Sequence, residues 1–242
     1  MANRLLDRQL SLIEYLTSRA AIFGDEPRSS AVAAPAGLDL SLLVVEARFA
    51  YAKRMEKITA VLPKTFELLG ARREQIVRDF VETCPPATIS RLDNARQFHA
   101  YLMERWRHET PKPPYLCDVA ACELAYAAAA ADDEPRASVE ENPRSGLIRR
   151  SSSAILVRCA YDVQSVFETG VDEATPSRRE TLLVVALPTG ADHPHILEVP
   201  ATVFELLAAL DEWTEPPALA DTTDFGSLLT DLVEHGLVEV RA

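Results

Sequence analysis

His193 and His195, separated by one proline, are the closest pair among the five histidines of the chain. Two imidazoles on a tight turn can meet one metal ion. Zinc and iron sites use three or four ligands, and no third one accompanies this pair, so a polar turn is expected there. Four cysteines are present: Cys84, Cys117, Cys122 and Cys159. Cys117 and Cys122 lie in an alanine-rich helical stretch at a spacing that does not put them on one face. Both are expected as small buried hydrophobes, and so is Cys159 on a predicted strand. Glu123 sits among Val119, Ala120, Ala121, Leu124 and Ala125. A carboxylate on so apolar a helix needs a partner. Arg48 and Arg54 are the natural candidates, giving a structural ion pair rather than an acid–base site. The eight glycines form no phosphate-binding loop, and no nucleophile–histidine–acid arrangement stands out. No catalytic residue and no metal ligand is assigned, which favours a binding or adaptor role over an enzyme.

The elements that would carry these residues change character along the chain. Helical periodicity runs through residues 3–22, with Leu5, Leu6, Leu10, Ile13, Leu16 and Ile22 as its apolar stripe. A second helix is predicted from a cap at Asp39 or Ser41 to about Leu62, with Leu40, Leu43, Val44, Ala47, Tyr51, Ile58 and Leu62 inward. Pro63 restarts the helix, Gly70 closes a short one, and residues 71–83 form another. Asn94 is expected to open a helix with Phe98, Tyr101, Leu102 and Trp106 on one face. Residues 115–131 form the last helix. Residues 132–153 bury nothing at a regular period and read as a linker. Strands follow over 155–161, 181–187 and 195–199, with the last two forming a hairpin. Pro200 then begins a helix, Asp224 caps the final one, Gly236 ends it and residues 237–240 return as a strand. The expected fold class is α+β: an all-helical domain over residues 1–131, a linker over 132–153 and a winged-helix-like β/α domain over 154–242.

Charge is divided unevenly over this plan. Residues 1–154 hold 21 Lys plus Arg and 21 Asp plus Glu, whereas residues 155–242 hold 4 and 16, so the whole net charge of −12 lies in the last third. A winged-helix outline suggests DNA, but DNA binding rests on cations that neutralise phosphates. A module this acidic is repelled by nucleic acid and by anionic membranes, so a peptide or protein partner is expected. An acidic winged-helix transcriptional regulator is the alternative. No apolar run approaches the length of a bilayer span, no export signal is seen, and four cysteines in a chain this long suggest no disulfide framework. A cytoplasmic setting is expected.

Particular residues add a resemblance. Phe49-Ala-Tyr51, Arg54 and Leu62-Pro63-Lys-Thr-Phe66-Glu-Leu-Leu-Gly70 resemble the helical domain of a bacterial family once labelled "putative DNA-binding". So do Leu92-Asp-Asn-Ala-Arg-Gln-Phe98, Pro113-Pro-Tyr-Leu-Cys-Asp118-Val-Ala120 and Glu123-Leu-Ala125. Its members are partner subunits of multinuclear non-haem iron oxidative enzymes with TIM-barrel folds, the group of MbnC and TglI. The resemblance covers residues 38–126 best. The C-terminal module resembles a PqqD-like precursor-peptide recognition element, in which the leader of a ribosomally made peptide adds as a strand to a sheet edge. The resemblance implies peptide contacts at Ile196, Leu197, Val199, Leu228, Leu232 and His235. For the enzyme-facing interface, the proline-rich turn carrying Pro113, Pro114, Tyr115 and Asp118 is the candidate. The resemblance further implies a non-catalytic subunit that presents a precursor peptide to an iron-dependent oxidase for cysteine modification. The iron would belong to that partner, with no cofactor in this chain.

Overall fold

Prolines, glycines and side-chain caps set most of the breaks in this chain. A computed structural model describes residues 2–24, 37–131, 146–172, 176–188, 190–216 and 223–241. The chain divides into two compact units, Met1–Thr110 and Pro111–Ala242. Among the described residues of the first unit all regular structure is helical; all strands lie in the second, so the class is α+β as expected.

The first unit contains α1 (Ala2–Leu16), α2 (Arg19–Phe23), α3 (Leu40–Val61), α4 (Pro63–Leu69), a 3-10 turn at Gly70–Arg72, α5 (Arg73–Thr83) and α6 (Arg91–Trp106). The single helix expected over 3–22 is two helices. Ser18 breaks it by taking an extended conformation and accepting from the Ala21 N–H at 3.2 Å, an N-cap for α2. Asp39 caps α3 in the same way through the Ser41 N–H. The helix expected to open at Asn94 starts at Arg91, because Ser90 caps it through the Asp93 N–H. Asn94 is instead buried inside the first turns of α6.

Phe66, Phe80 and Phe98 form the centre of this unit. Phe66 stacks on Phe98 at 5.1 Å between centroids, and Phe80 meets Phe98 edge-on at 4.9 Å. Such geometries are favoured by the ring quadrupoles. Most of the inward stripe expected over 3–22 is not inward: Leu5, Leu6, Leu10 and Ile13 of α1 are about half exposed or more, whereas Ile22, on α2, is buried as expected, along with Tyr15 and Ala21. Along the first half of α3, Leu42, Val45 and Phe49 are also exposed, at 66, 63 and 59%. Helical period alone tells that a face is apolar, not what covers it.

The second unit contains α7 (Leu116–Ala130), β1 (Leu147–Arg150), β2 (Ile155–Cys159), α8 (Gln164–Thr169), β3 (Thr181–Ala186), β4 (His195–Glu198), α9 (Ala201–Ala209), α10 (Thr223–Glu234) and β5 (Val238–Arg241). Two expectations change here. Helix α7, assigned above to the helical domain, packs on β2 and β3 and belongs to this unit. Residues 147–150, assigned to the linker, form β1, which pairs antiparallel with β5 from Leu147↔Arg241 to Arg150↔Val238. Ile148 is fully buried in that ladder. Gly146 opens it because a Cβ there would clash with the Arg241 carbonyl oxygen. The rest of the expected linker, residues 132–145, lies outside the described residues. Helix α10 starts at Thr223, ahead of Asp224, the expected cap.

The other sheet has the order β2-β3-β4, antiparallel throughout, with Val157↔Leu183 and Val184↔Leu197 among its paired residues. Side chains alternate between the faces of a strand. One face carries Val184 and Ala186, which join Leu207 and Leu210 of the α9 region and Leu229, Leu232 and Val233 of α10 in a single apolar core. The opposite face carries Val157, Cys159, Leu183 and Val185, all buried, and meets α7. The alanines of α7 let it lie close: Ala120, Ala125 and Ala129 are buried. This sheet is covered on both sides, which is why the run 182–187 is apolar without alternation.

Candidate functional site

β4 is an edge strand, and its backbone decides which groups can reach a ligand. The Val199 N–H donates to the Leu182 carbonyl at 2.9 Å. Hydrogen-bonded pairs alternate along an antiparallel ladder, so Leu197 and His195 also direct their N–H and C=O groups to β3. Ile196 and Glu198 direct theirs away from it. Among the described residues no strand pairs with that outer edge. A row of such groups is a template for an added strand.

The predicted peptide contacts fall into distinct environments around this edge. Leu197 of β4, Val199 just after it and Leu228 of α10 are partly buried and pack against the same apolar core, as do Val203, Leu206 and Phe225. They form a partly exposed apolar rim of that core. Ile196, on the other face of the sheet, is half-buried. Leu232 is only 4% exposed and belongs to the core itself, so it supports the rim and offers no surface. His235 is exposed past the end of α10, with Nδ1 2.8 Å from the Asp231 carbonyl oxygen. The structure thus places Leu197, Val199 and Leu228 at the margin of one core, Leu232 within that core and His235 at the surface.

The surroundings are acidic even where cations occur. Arg179 holds Glu198 at 2.5 Å and Asp162 at 2.7 Å. Arg158 holds Glu180 at 2.9 Å and Glu205 at 3.0 Å and lies over the Phe204 ring at 5.4 Å. Each of these arginines faces two carboxylates. With the chain divided at Thr110, the first unit holds 16 Lys plus Arg against 14 Asp plus Glu, and the second 9 against 23. The asymmetry read from the sequence therefore grows to +2 against −14 once α7 and its neighbours join the second unit.

The proline-rich turn meets a more constrained fate. Asp118 Oδ2 accepts from the N–H groups of Ala160 and Tyr161, both at 2.9 Å. Burial raises the carboxyl above its ordinary value, while those two backbone hydrogen bonds pull the other way. Tyr115 is half-buried and meets Tyr161 edge-on at 6.2 Å. Pro113 is half-buried and Pro114 exposed. Asp118 thus ties α7 to the end of β2, an internal task, and Pro114 is the most open of the four.

The remaining chemistry-bearing residues also find places. His193 and His195 are exposed, and among the described residues no three His, Cys, Asp or Glu side chains cluster in a way that could hold a metal ion. The partners expected for Glu123 are otherwise engaged. Arg54 donates to Asn94 Oδ1 at 3.1 Å, the Cys84 carbonyl at 2.8 Å and Gln97 Oε1 at 2.7 Å, and Arg48 donates to the Ile22 carbonyl at 3.3 Å. Sequence reasoning missed one juxtaposition entirely: the Sγ atoms of Cys122 and Cys159 stand 3.8 Å apart, both side chains fully buried. The two lie 37 residues apart on elements of different type, so no local spacing signals the contact.

No helix among the described residues is long and apolar enough to cross a membrane. No family model matches the chain, and no curated protein matches it either.

Proposed function

We propose that this chain is a non-catalytic subunit that captures an extended peptide on the outer edge of β4 and presents it to a partner enzyme. The observation that carries the reading is the open edge at Ile196 and Glu198 beside the apolar rim of Leu197, Val199 and Leu228. An added strand gains main-chain hydrogen bonds from the edge and side-chain contacts from the rim. The charge of the unit favours a peptide carrying Lys or Arg, with an encounter that weakens as salt screens it. The same charge disfavours the transcriptional-regulator alternative.

The identity of the partner rests on the resemblance of residues 38–126, which points to an iron-dependent TIM-barrel oxidase acting on a cysteine of a ribosomally made precursor. The iron would be held by that enzyme. Exposed apolar residues on α1 and α3 fit the role of a protein-contacting surface. On the proline-rich turn, Pro113, Pro114 and Tyr115 are the residues proposed to take part, since the Asp118 carboxylate is used internally.

The test begins with a pull-down of the full chain from its native host and continues with fluorescence anisotropy of the recovered peptide. Leu197→Pro is the wrong probe, because its N–H serves the protein's own sheet. Ile196→Pro removes a donor that faces outward, a position where an edge strand tolerates proline. It is expected to weaken binding roughly five- to tenfold, the worth of one hydrogen bond and its neighbours, with circular dichroism unchanged. Leu228→Asp is expected to weaken it further. Equal affinity for parent and both folded variants would place the peptide elsewhere, and recovery of duplex DNA in place of a peptide would favour the regulator.

A further inference from the structure

Cys122 and Cys159 are held together by more than chance packing. Asp118 and Cys122 lie one turn apart on α7, so they project from the same face of the helix. Asp118 grips the N–H groups of Ala160 and Tyr161, the two residues that follow Cys159. Cys122 meets Cys159 itself at 3.8 Å between sulfurs. Helix α7 therefore clamps three consecutive residues at the end of β2 with two side chains, and one of those grips is a thiol against a thiol. A disulfide needs sulfurs roughly 2.0 Å apart, so the pair is short of bonding by less than the diameter of an atom.

The geometry points to Cys122 and Cys159 as a disulfide-forming pair, a redox modification site that would bond α7 covalently to the sheet. The co-reactant is a low-molecular-weight disulfide, RSSR. One cysteine, as its thiolate, attacks a sulfur of RSSR and expels RS⁻, which takes up the proton. The second cysteine then attacks the mixed disulfide and expels a second RSH. The protein loses two electrons and two protons, and RSSR becomes two RSH. Such exchange requires the thiolate and access to it. The hydrogen bond with Cys159 and burial hold the Cys122 thiol well above its ordinary range, and both side chains are fully buried. The first attack therefore waits on a local opening of α7 from β2. The bond, once made, keeps that opening closed.

Cys84 and Cys117 are half-buried and are the competing thiols. The experiment uses the full chain with Cys84→Ser and Cys117→Ser, incubated with oxidised glutathione at 25 °C and again a few degrees below the melting temperature, where α7 opens more often. The expected product has lost two hydrogens by mass and yields a cross-linked peptide containing Cys122 and Cys159. Its melting temperature is higher, and dithiothreitol reverses the change. A further Cys122→Ser substitution, shown folded by circular dichroism, abolishes both the cross-link and the shift. The proposal is overturned if both thiols persist at the higher temperature, if glutathione adducts accumulate on them without a cross-link, or if the Cys122→Ser variant gains the same thermal shift.

Discussion

Arg54 in the first unit is buried and Asp118 in the second is half-buried, and the two charges are satisfied in opposite ways. In the helical unit Arg54, 8% exposed, meets only neutral acceptors: the Asn94 and Gln97 side-chain oxygens and the Cys84 carbonyl, with the Phe80 ring 4.4 Å below its guanidinium. Burial pushes Arg54 down to about 10, still far above neutral pH, so the cation stays. In the second unit the carboxylate of Asp118 meets only neutral donors, two backbone N–H groups. Among the described residues, neither Arg54 nor Asp118 is met by a counter-ion. The Arg54 network joins α3, α6 and the loop after α5, whereas Asp118 joins one helix to the end of one strand. The first is a hub and the second a clasp, and their removal should differ in size.

The largest effect, however, is expected from the apolar frame itself. Leu232→Asp places a carboxylate at a position 4% exposed, within the core shared by β3, α9 and α10. The lost burial and the unpaired charge together cost about 4 kcal/mol or more, a large fraction of a typical domain's stability. Loss of cooperative unfolding in the second unit is the expected result. The chain has two tryptophans, Trp106 in the first unit and Trp213 in the second, so fluorescence can read each. Trp213 lies 4.8 Å from the guanidinium of Arg149, and its emission should shift toward that of exposed indole. An unchanged Trp213 signal and melting curve would remove Leu232 from the core.

Next comes the hub. Arg54→Ala deletes three hydrogen bonds and leaves the Asn94 and Gln97 oxygens and a carbonyl seeking other partners. Breaking a buried charged network of this kind costs about 3 kcal/mol. In a Trp213→Phe background, Trp106 should report a melting temperature lower by several degrees. Arg54→Lys should recover little of the loss, because an ammonium cannot span three acceptors arranged for a planar fork. Full recovery by lysine would mean that charge, not geometry, holds the hub together.

What the sequence disclosed follows from how local each signal is. Strand positions at 181–186 and 195–198 were legible because apolar composition and the Pro188-to-Pro194 turn are contiguous. The helical nature of residues 116–130 was legible too, but not their allegiance. An alanine-rich helix presents no bulky stripe to say which neighbour it joins, and α7 crosses into the second unit to cover a sheet. β1 was lost because Leu147–Arg150 is short and half polar, and its partner lies 90 residues away in the Arg149–Glu239 pair. Of the residues expected to contact a peptide, Leu197, Val199 and Leu228 are partly buried against one core. Period placed Leu232 on the same helix face and could not tell rim from core. Strand parity, which separates Ile196 from Leu197, depends on register and is not written in composition.

The smallest effect tests the clasp through pH. Burial raises the Asp118 carboxyl above its ordinary value, so the folded protein holds that proton more tightly than the unfolded chain does. The unfolded chain then binds fewer protons across the window from the ordinary carboxylate range up to the raised folded value, and this group's contribution to stability falls as pH rises through it. Above that window the ionised carboxylate carries its full burial cost, offset by two charge-assisted hydrogen bonds. Asp118→Asn keeps an oxygen that can accept from Ala160 and Tyr161 without a charge to bury. At pH 7 it should match the parent to within about 1 kcal/mol, whereas Asp118→Ala, which leaves both N–H groups unpaired, should lose about 2 kcal/mol. The pH dependence separates the variants further. Subtracting the Asp118→Asn melting curves from the parent's, measured from the acid range to neutral, should leave a component that declines with rising pH. A component that rises instead would mean that the two hydrogen bonds outweigh desolvation and that the clasp is strongest when charged.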